Sequence, residues 1–355
     1  RPWSVKVQTI VPRLDTLQIP TLPSRQIGRT AMITTALTEM FGLQHPIVLG
    51  PMGGVSGGRL AAAVSNAGGL GLVGGGYGDP AWLNAELACV RDSTSAPWGV
   101  GLITWSCEPE ILALALRYRP HAVLLSFGDP RLYAAAIHQA GCKLICQVQD
   151  LEGAALAREA GADLIVAQGT EAGGHGGLLA TMPLVPTVVD AVAPIPVIAA
   201  GGIADGRGLA AALMLGAQGA LIGTRFCATP EALGHDEGKQ RIVAAQAGQT
   251  GRTRVFDIVR GYHWPTPYTG RALQNRFTRQ WHGHEDALAG QLANEKAAYA
   301  AAAQAADFDT ALVWAGEAAG LIHSVEPATN LVAQISAQAQ AQLDKAGQWL
   351  RRGSA

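Results

Sequence analysis

The stretch Asp163-Leu-Ile-Val-Ala-Gln-Gly-Thr-Glu-Ala-Gly-Gly-His-Gly-Gly177 joins a short apolar run to a loop that holds one histidine among five glycines. The apolar run is short and contains Ile and Val, which predicts a strand buried on both faces. The glycines that follow allow the backbone to approach a flat or charged ligand closely. We therefore predict a buried strand whose carboxyl end opens into a ligand-binding loop.

Seven similar apolar runs flank this one, and amphipathic segments rich in Ala and Leu alternate with them. Alternating strands and helices at regular spacing are typical of stacked βα units. Eight consecutive units predict a closed (β/α)8 TIM barrel of the α/β class, because an open doubly wound sheet normally has about six strands. The predicted strands cover residues 46–50, 69–73, 98–104, 122–127, 143–148, 164–168, 196–200 and 219–223.

The barrel is predicted to occupy residues 32–229, with further segments on either side. Residues 1–31 are rich in proline and poor in acidic residues, which predicts a flexible N-terminal extension. Residues 230–355 predict an additional helical region on the substrate side of the barrel, with long helices at 285–306 and 328–351. Those helices suggest a homodimer as one possible assembly.

Composition limits the possible partners. The 355 residues are 48% hydrophobic and 15% charged, with a net charge of −1 and no long basic run. This balance argues against nucleic acid or an anionic membrane as the main partner, and no apolar stretch is long enough to cross a bilayer. The five cysteines are odd in number and form no Cys-x-x-Cys pair, which favours a reduced, cytoplasmic location.

The segment Gly69-Leu-Gly-Leu-Val-Gly74 matches the spelling of a dinucleotide fingerprint. That fingerprint requires a strand before it and a helix that begins within it. Here a helical pattern precedes the motif, so we interpret the motif as a strand that ends in an open glycine segment.

His175 is the candidate catalytic residue. In a barrel, active residues lie after the carboxyl ends of the strands, which is where the glycine loop is predicted. An ordinary imidazole has a pKa near 6.5, which suits proton transfer at neutral pH. A surface histidine in a flexible turn is the alternative interpretation.

The last two predicted strands end in Gly201-Gly202 and Gly223-Thr224. Loops after strands seven and eight of a barrel commonly bind phosphate through backbone N–H groups. These four residues therefore predict a phosphate cradle, with the Thr224 hydroxyl as an extra donor and Arg225 as a possible charge partner.

With these motifs, residues 32–324 resemble the nitronate monooxygenase family, also called 2-nitropropane dioxygenases. The resemblance is carried by Gly50-Pro-Met52, by Ala61-Ala-Ala-Val-Ser-Asn-Ala-Gly-Gly-Leu70, by the His175 loop, by Ala200-Gly-Gly-Ile-Ala-Asp-Gly-Arg-Gly208 and by Gly223-Thr224. It implies FMN as the cofactor and no metal. The residues that would bind FMN are Pro51, Met52, Gly53, Gly101, Gln147, Gln168, Gly173, Gly174, Ala200, Gly201, Gly202, Gly223 and Thr224.

The resemblance implies oxidation of alkyl nitronates with O₂ to a carbonyl compound and nitrite. His175 would contact the nitro group and would remove the α-proton from neutral nitroalkanes. The sequence departs from the pattern of its relatives in two respects, one at a substrate contact and one at the flavin contacts. Ser126 stands where some members have a second histidine, and Gly101 and Gln147 stand where some flavin relatives have asparagine and lysine.

Four other functions are the alternatives. An FMN-dependent reductase that uses NADH or NADPH on a quinone or enoyl thioester has the same barrel and a similar histidine loop. A Schiff-base aldolase is disfavoured because Lys143, the only lysine in a predicted strand, lies at its amino end. A metal hydrolase is disfavoured because His282-Gly-His284 lies outside the eight units. A flavin-storage protein would not need His175.

The segment Tyr262-His-Trp-Pro-Thr-Pro-Tyr268 offers aromatic rings that either line the substrate entrance or pack in the core. Trp314 and Glu317 are predicted to return towards the flavin.

Overall fold

Strands and helices alternate along the computed structural model, which describes residues 33–349. The strands are β1 (Ile47–Leu49), β2 (Gly71–Gly74), β3 (Trp98–Ile103), β4 (Ala122–Ser126), β5 (Lys143–Val148), β6 (Leu164–Gln168), β7 (Gly174–Gly176), β8 (Val197–Ala200), β9 (Ala220–Ile222), β10 (Thr250–Thr253) and β11 (Thr269–Leu273).

The helices pack around and beyond these strands. They are α1 (Ala36–Phe41), α2 (Gly58–Asn66), α3 (Pro80–Ser93), α4 (Pro109–Arg117), α5 (Arg131–Gln139), α6 (Leu151–Glu159), α7 (Thr181–Val192), α8 (Gly206–Met214), α9 (Thr224–Cys227), α10 (Asp236–Ala244), α11 (Val255–Arg260), α12 (Arg276–Trp281), α13 (Glu285–Gly290), α14 (Leu292–Gln304) and α15 (Ala328–Trp349). Short 3-10 helices cover Thr104–Ser106 and Glu317–Leu321.

Eight parallel strands form the predicted barrel, in the order β1-β9-β8-β6-β5-β4-β3-β2. A parallel bridge between Val48 and Leu70 closes it, with hydrogen bonds from Leu49 N–H to the Leu70 carbonyl and from Leu70 N–H to the Ile47 carbonyl, both 2.9 Å. All eight predicted strands are confirmed. The motif at residues 69–74 contributes β2, as interpreted from the sequence.

The barrel interior is an apolar core, because alternate residues of each strand point inward. It includes Val48, Leu72, Leu124, Val166 and Ile198, all fully buried. Aspartates after several strands then start the next helix. Asp150 accepts a hydrogen bond from Gly153 N–H, and Asp205 accepts from Arg207 and Gly208 N–H, so each helix begins directly above a strand end.

A second, three-stranded sheet was not predicted. Its order is β10-β11-β7, and both pairs are antiparallel. It brings the loop after β6 together with residues from beyond the barrel. This sheet therefore brings side chains from the region after the barrel into contact with His175.

The C-terminal helices differ in detail from the prediction. The expected helix at 285–306 is two helices, α13 and α14, separated at Gln291. The expected helix at 328–351 is α15, and its predicted end lies outside the described residues. Residues 230–349 also contain β10 and β11.

The extension predicted at residues 1–31 lies outside the described residues. The remaining described chain belongs to one compact unit, and the boundary at residue 229 stays a prediction. From residue 33 to residue 349, no helix combines the length and apolar character that crossing a membrane requires.

Candidate functional site

One cleft opens at the carboxyl ends of the barrel strands. Its walls come from the strand ends and from the region beyond the barrel, which is where barrel enzymes bind their ligands. The fourteen residues selected from the sequence all line it. They are Pro51, Met52, Gly53, Gly101, Gln147, Gln168, Gly173, Gly174, His175, Ala200, Gly201, Gly202, Gly223 and Thr224. Their individual roles stay predictions.

His175 lies on strand β7 and not in a mobile turn. Its backbone pairs with Gly270 of β11, and only 8% of the residue is exposed. Gly174, just before it, has φ +70°, which favours glycine because it has no Cβ. The imidazole is thus fixed in the cleft wall by sheet pairing.

Asp257 is the partner of His175 that sequence reasoning missed. Its carboxylate oxygens lie 3.0 and 2.9 Å from His175 Nε2, and the residue is 3% exposed. A carboxylate accepts hydrogen bonds, so Nε2 carries the imidazole hydrogen and Nδ1 keeps its lone pair. Burial lowers the pKa of His175, although Asp257 opposes this shift. The imidazole is therefore neutral at neutral pH, with Nδ1 free to accept a proton.

Aromatic rings enclose the imidazole. Trp264 stacks on it with ring centroids 3.4 Å apart and planes 7° apart, and Trp314 meets it edge-on at 5.1 Å. Trp264 Nε1 donates to the Tyr77 hydroxyl at 2.8 Å, and Tyr77 stacks on Tyr262 at 4.0 Å. Burial raises the pKa of Tyr77 to about 12, so Tyr77 stays a neutral phenol. Rings from the predicted aromatic segment do reach the cleft.

Two buried glutamines hold the histidine strand from the barrel side. Gln149 Nε2 donates to Gln168 Oε1 at 2.9 Å, and Gln168 Nε2 donates to the His175 carbonyl at 3.1 Å. Gln168, at the end of β6, thus connects the barrel to β7.

Two arginines hold the preceding part of the loop. Arg252 and Arg271 both donate to the Thr170 carbonyl, at 3.0 and 2.9 Å. Arg271 also forms an ion pair with Glu317. Burial and the charge of Arg271 lower the pKa of Arg252 to about 10, at which it remains protonated at neutral pH. Glu317 thus contacts Arg271, one of the two arginines that hold the loop, while Trp314 contacts His175.

The glycines after β8 adopt the left-handed conformation, with φ +99° at Gly201 and +74° at Gly202. Within residues 33–349, the N–H groups of Gly202 and Thr224 have no hydrogen-bond acceptor. Thr224 Oγ1 accepts from Gly316 N–H at 3.0 Å, so its own hydrogen remains available to a ligand. These groups form a set of free donors on the cleft wall.

Arg225 does not join this set. It is 5% exposed and lies outside the cleft lining, and its guanidinium donates to the Ser324 carbonyl at 2.9 Å. Burial lowers its pKa, although Glu326 opposes the shift. The suggested charge partner is therefore wrong.

A sequence signal for Asp257 does exist. It is the one acid in the apolar segment Val255-Phe-Asp-Ile-Val259, and a lone buried carboxylate needs a partner. This signal does not show that the partner is His175, because the two residues come together only through the sheet that was not predicted. Elsewhere in the described residues, no group of three or more His, Cys, Asp or Glu side chains could hold a metal.

Fold and cleft together define a class, an α/β barrel with a ligand-sized cleft at the carboxyl ends of its strands. The sequence matches the family model described as nitronate monooxygenase over residues 34–110 and 109–338. The chain belongs to this family of flavin-dependent oxidoreductases.

Individual relatives agree with the family. The nitronate monooxygenase of Paraburkholderia phytofirmans is 32% identical over 370 residues, which cover 88% of this chain and 97% of that protein. The Rhodococcus jostii (3aS,4S,5R,7aS)-5-hydroxy-7a-methyl-1-oxo-octahydro-1H-indene-4-carboxyl-CoA dehydrogenase is 38% identical over 226 residues. That alignment spans 63% of this chain and 64% of the relative, less than two thirds of its length.

Two solved structures show the same architecture. FabK from Thermotoga maritima has a TM-score of 0.81 and 32% identity, covering 90% of this chain and all of its own. Nitroalkane oxidase from Streptomyces ansochromogenes has a TM-score of 0.75 and 31% identity, covering 88% of this chain and 99% of its own.

Proposed function

We propose that this chain is an FMN-dependent enzyme that oxidises alkyl nitronates with O₂ to a carbonyl compound and nitrite. The observation that carries the proposal is the neutral imidazole of His175 in the cleft wall, in a chain of the nitronate monooxygenase family. The likeness to nitroalkane oxidase supports the same substrate class.

The cleft residues fit FMN. The unpaired N–H groups of Gly202 and Thr224 suit a phosphate, since backbone donors without acceptors are rare in folded proteins. A Cβ at Gly201 would lie 2.9 Å from the Gly169 carbonyl oxygen, so only glycine fits that turn. When bound, FMN supplies the redox chemistry with O₂.

His175 would act on two kinds of substrate. For a neutral nitroalkane, Nδ1 removes the α-proton, and Asp257 stabilises the imidazolium that forms. A nitronate has already lost that proton, so His175 then only orients it. Trp264 stacks on the ring and limits its rotation.

We expect Gly202→Ala to weaken FMN binding about tenfold or more, because a left-handed residue with a side chain costs about 1–2 kcal/mol and turns its N–H group. Gly42→Ala is the matched control, because Gly42 has φ +66° at the end of α1 with no atom within 4 Å of a Cβ. FMN titration of the apoprotein measures both. Equal affinity in the two variants would argue against the cradle.

A reductase that uses NADH or NADPH is the second candidate. It is favoured by one observation, the Rhodococcus relative named as a dehydrogenase of a carboxyl-CoA compound. A reductase takes its electrons from a nicotinamide, whereas the nitronate reaction takes them from the nitronate, so reduction by a nicotinamide distinguishes the candidates.

Oxygen consumption and nitrite release test the proposal directly. With FMN-loaded protein and propyl-2-nitronate, we expect both to rise with enzyme concentration and acetone to accumulate. Absence of nitrite from loaded, folded protein would refute the nitronate assignment. A homodimer and a cytoplasmic location remain predictions from the sequence.

A further inference from the structure

Arg260 is the last residue of α11 and lines the cleft. It is the one lysine or arginine among the described lining residues. Its Nη1 atom is buried and has no hydrogen-bond partner among residues 33–349. Its guanidinium carbon lies 4.7 Å above the centre of the Tyr262 ring, which fixes the plane of the charge.

A purely structural role explains only part of this arrangement. A cation at the C-terminal end of a helix is stabilised by the helix dipole, and stacking on Tyr262 adds to that. Neither interaction satisfies the buried Nη1 donor, and an unsatisfied charged donor is costly. The guanidinium thus keeps a hydrogen-bond donor that no described residue uses, and Arg260 lines the cleft in which a ligand would bind.

The charges around His175 indicate the sign of that ligand. The imidazole is neutral, and Asp257 beside it carries a negative charge. Glu171 also lines the cleft, but Thr181 N–H and Thr181 Oγ1 donate to its carboxylate at 2.9 and 2.8 Å. Arg252 also acts on His175, but its guanidinium donates to the carbonyls of Thr170 and Gly176, so Arg260 is the cation that lines the cleft itself.

We propose that Arg260 is the anion-binding residue of the substrate site, which receives the oxygen atoms of the nitronate and favours nitronates over neutral nitroalkanes. A guanidinium suits this task because its parallel N–H groups match two oxygens on one atom. The inference rests on the proposed function for its substrate.

Binding of inorganic nitrate tests the anion site without any reaction. Nitrate is planar and presents its oxygens as a nitronate does, and binding would change the fluorescence of Trp264 and Trp314 at the cleft. At constant ionic strength, we expect saturable binding that Arg260→Gln weakens about 10- to 100-fold and Arg260→Lys weakens less. No saturable binding, or equal affinity in wild type and Arg260→Gln, would overturn the proposal.

Kinetics test the preference between substrates. We expect Arg260→Gln to raise KM for propyl-2-nitronate about 10- to 100-fold and to change KM for neutral 2-nitropropane less than about threefold, because only the nitronate is an anion when it binds. Arg254→Gln is the matched control, because Arg254 lies exposed at the other end of α11 and outside the cleft lining. An equal rise in KM for both substrates in Arg260→Gln would contradict the assignment.

The two proposals can fail separately. If nitrate binding depends on Arg260 but no nitronate is oxidised, the anion site stands and the proposed function is wrong. If nitronate is oxidised normally by Arg260→Gln, the function stands and Arg260 has no part in substrate binding.

Discussion

His175→Asn is expected to lower kcat/KM for neutral 2-nitropropane by about 10²- to 10⁴-fold, the usual contribution of a general base. For propyl-2-nitronate, which needs no deprotonation, we expect a loss of less than about tenfold. Asparagine keeps polarity and approximate size at this buried position but cannot accept the proton. Initial rates of oxygen consumption with each substrate measure the difference.

His263→Asn is the control for this experiment. His263 is exposed and does not line the cleft, although it directly precedes Trp264. We expect its rates to match those of wild type with both substrates. If His175→Asn lost the same factor with the nitronate as with the nitroalkane, His175 would not be the base.

Asp257→Asn is expected to lower kcat/KM for neutral 2-nitropropane by about 10²-fold or more, because the imidazolium that forms loses its counter-charge. It should also move the pH profile. Burial lowers the pKa of His175 and Asp257 raises it, so removing the carboxylate lowers that pKa further. Activity requires neutral His175 and rises as pH passes its pKa, so the acidic limb shifts to lower pH.

The pH shift separates a positioning role from a structural one. A variant that only loosened the fold would lose activity without moving the limb. Asp286→Asn, an exposed change on α13, should alter neither the rate nor the profile. An unchanged acidic limb in folded, FMN-loaded Asp257→Asn would show that Asp257 does not act through His175.

The barrel could be predicted because its signal is local. Each strand is a short apolar run with a helix pattern beside it, and strand order follows chain order in this fold. The glycines of the cleft were visible for the same reason. Gly201 and Gly202 follow a strand directly, so the end of β8 fixed where they lie.

The second sheet could not be predicted because its strands have no local signal. β7 is Gly-His-Gly, and β10 is Thr-Gly-Arg-Thr, so neither shows apolar alternation. These segments become strands because both pair with β11 in the folded structure. Asp257 and Arg260 lie on α11, between β10 and β11, so the contact of Asp257 with His175 and the place of Arg260 in the cleft wall follow from tertiary structure alone.

Anaerobic reduction of the FMN-loaded chain tests the central claim most directly. Protein mixed without oxygen with propyl-2-nitronate, or separately with NADH or NADPH, is followed by the flavin absorbance near 450 nm. The proposed function predicts bleaching by the nitronate, recovery on adding air, and no rapid bleaching by either nicotinamide. Rapid bleaching by NADH or NADPH, with none by the nitronate, would contradict it and establish the reductase.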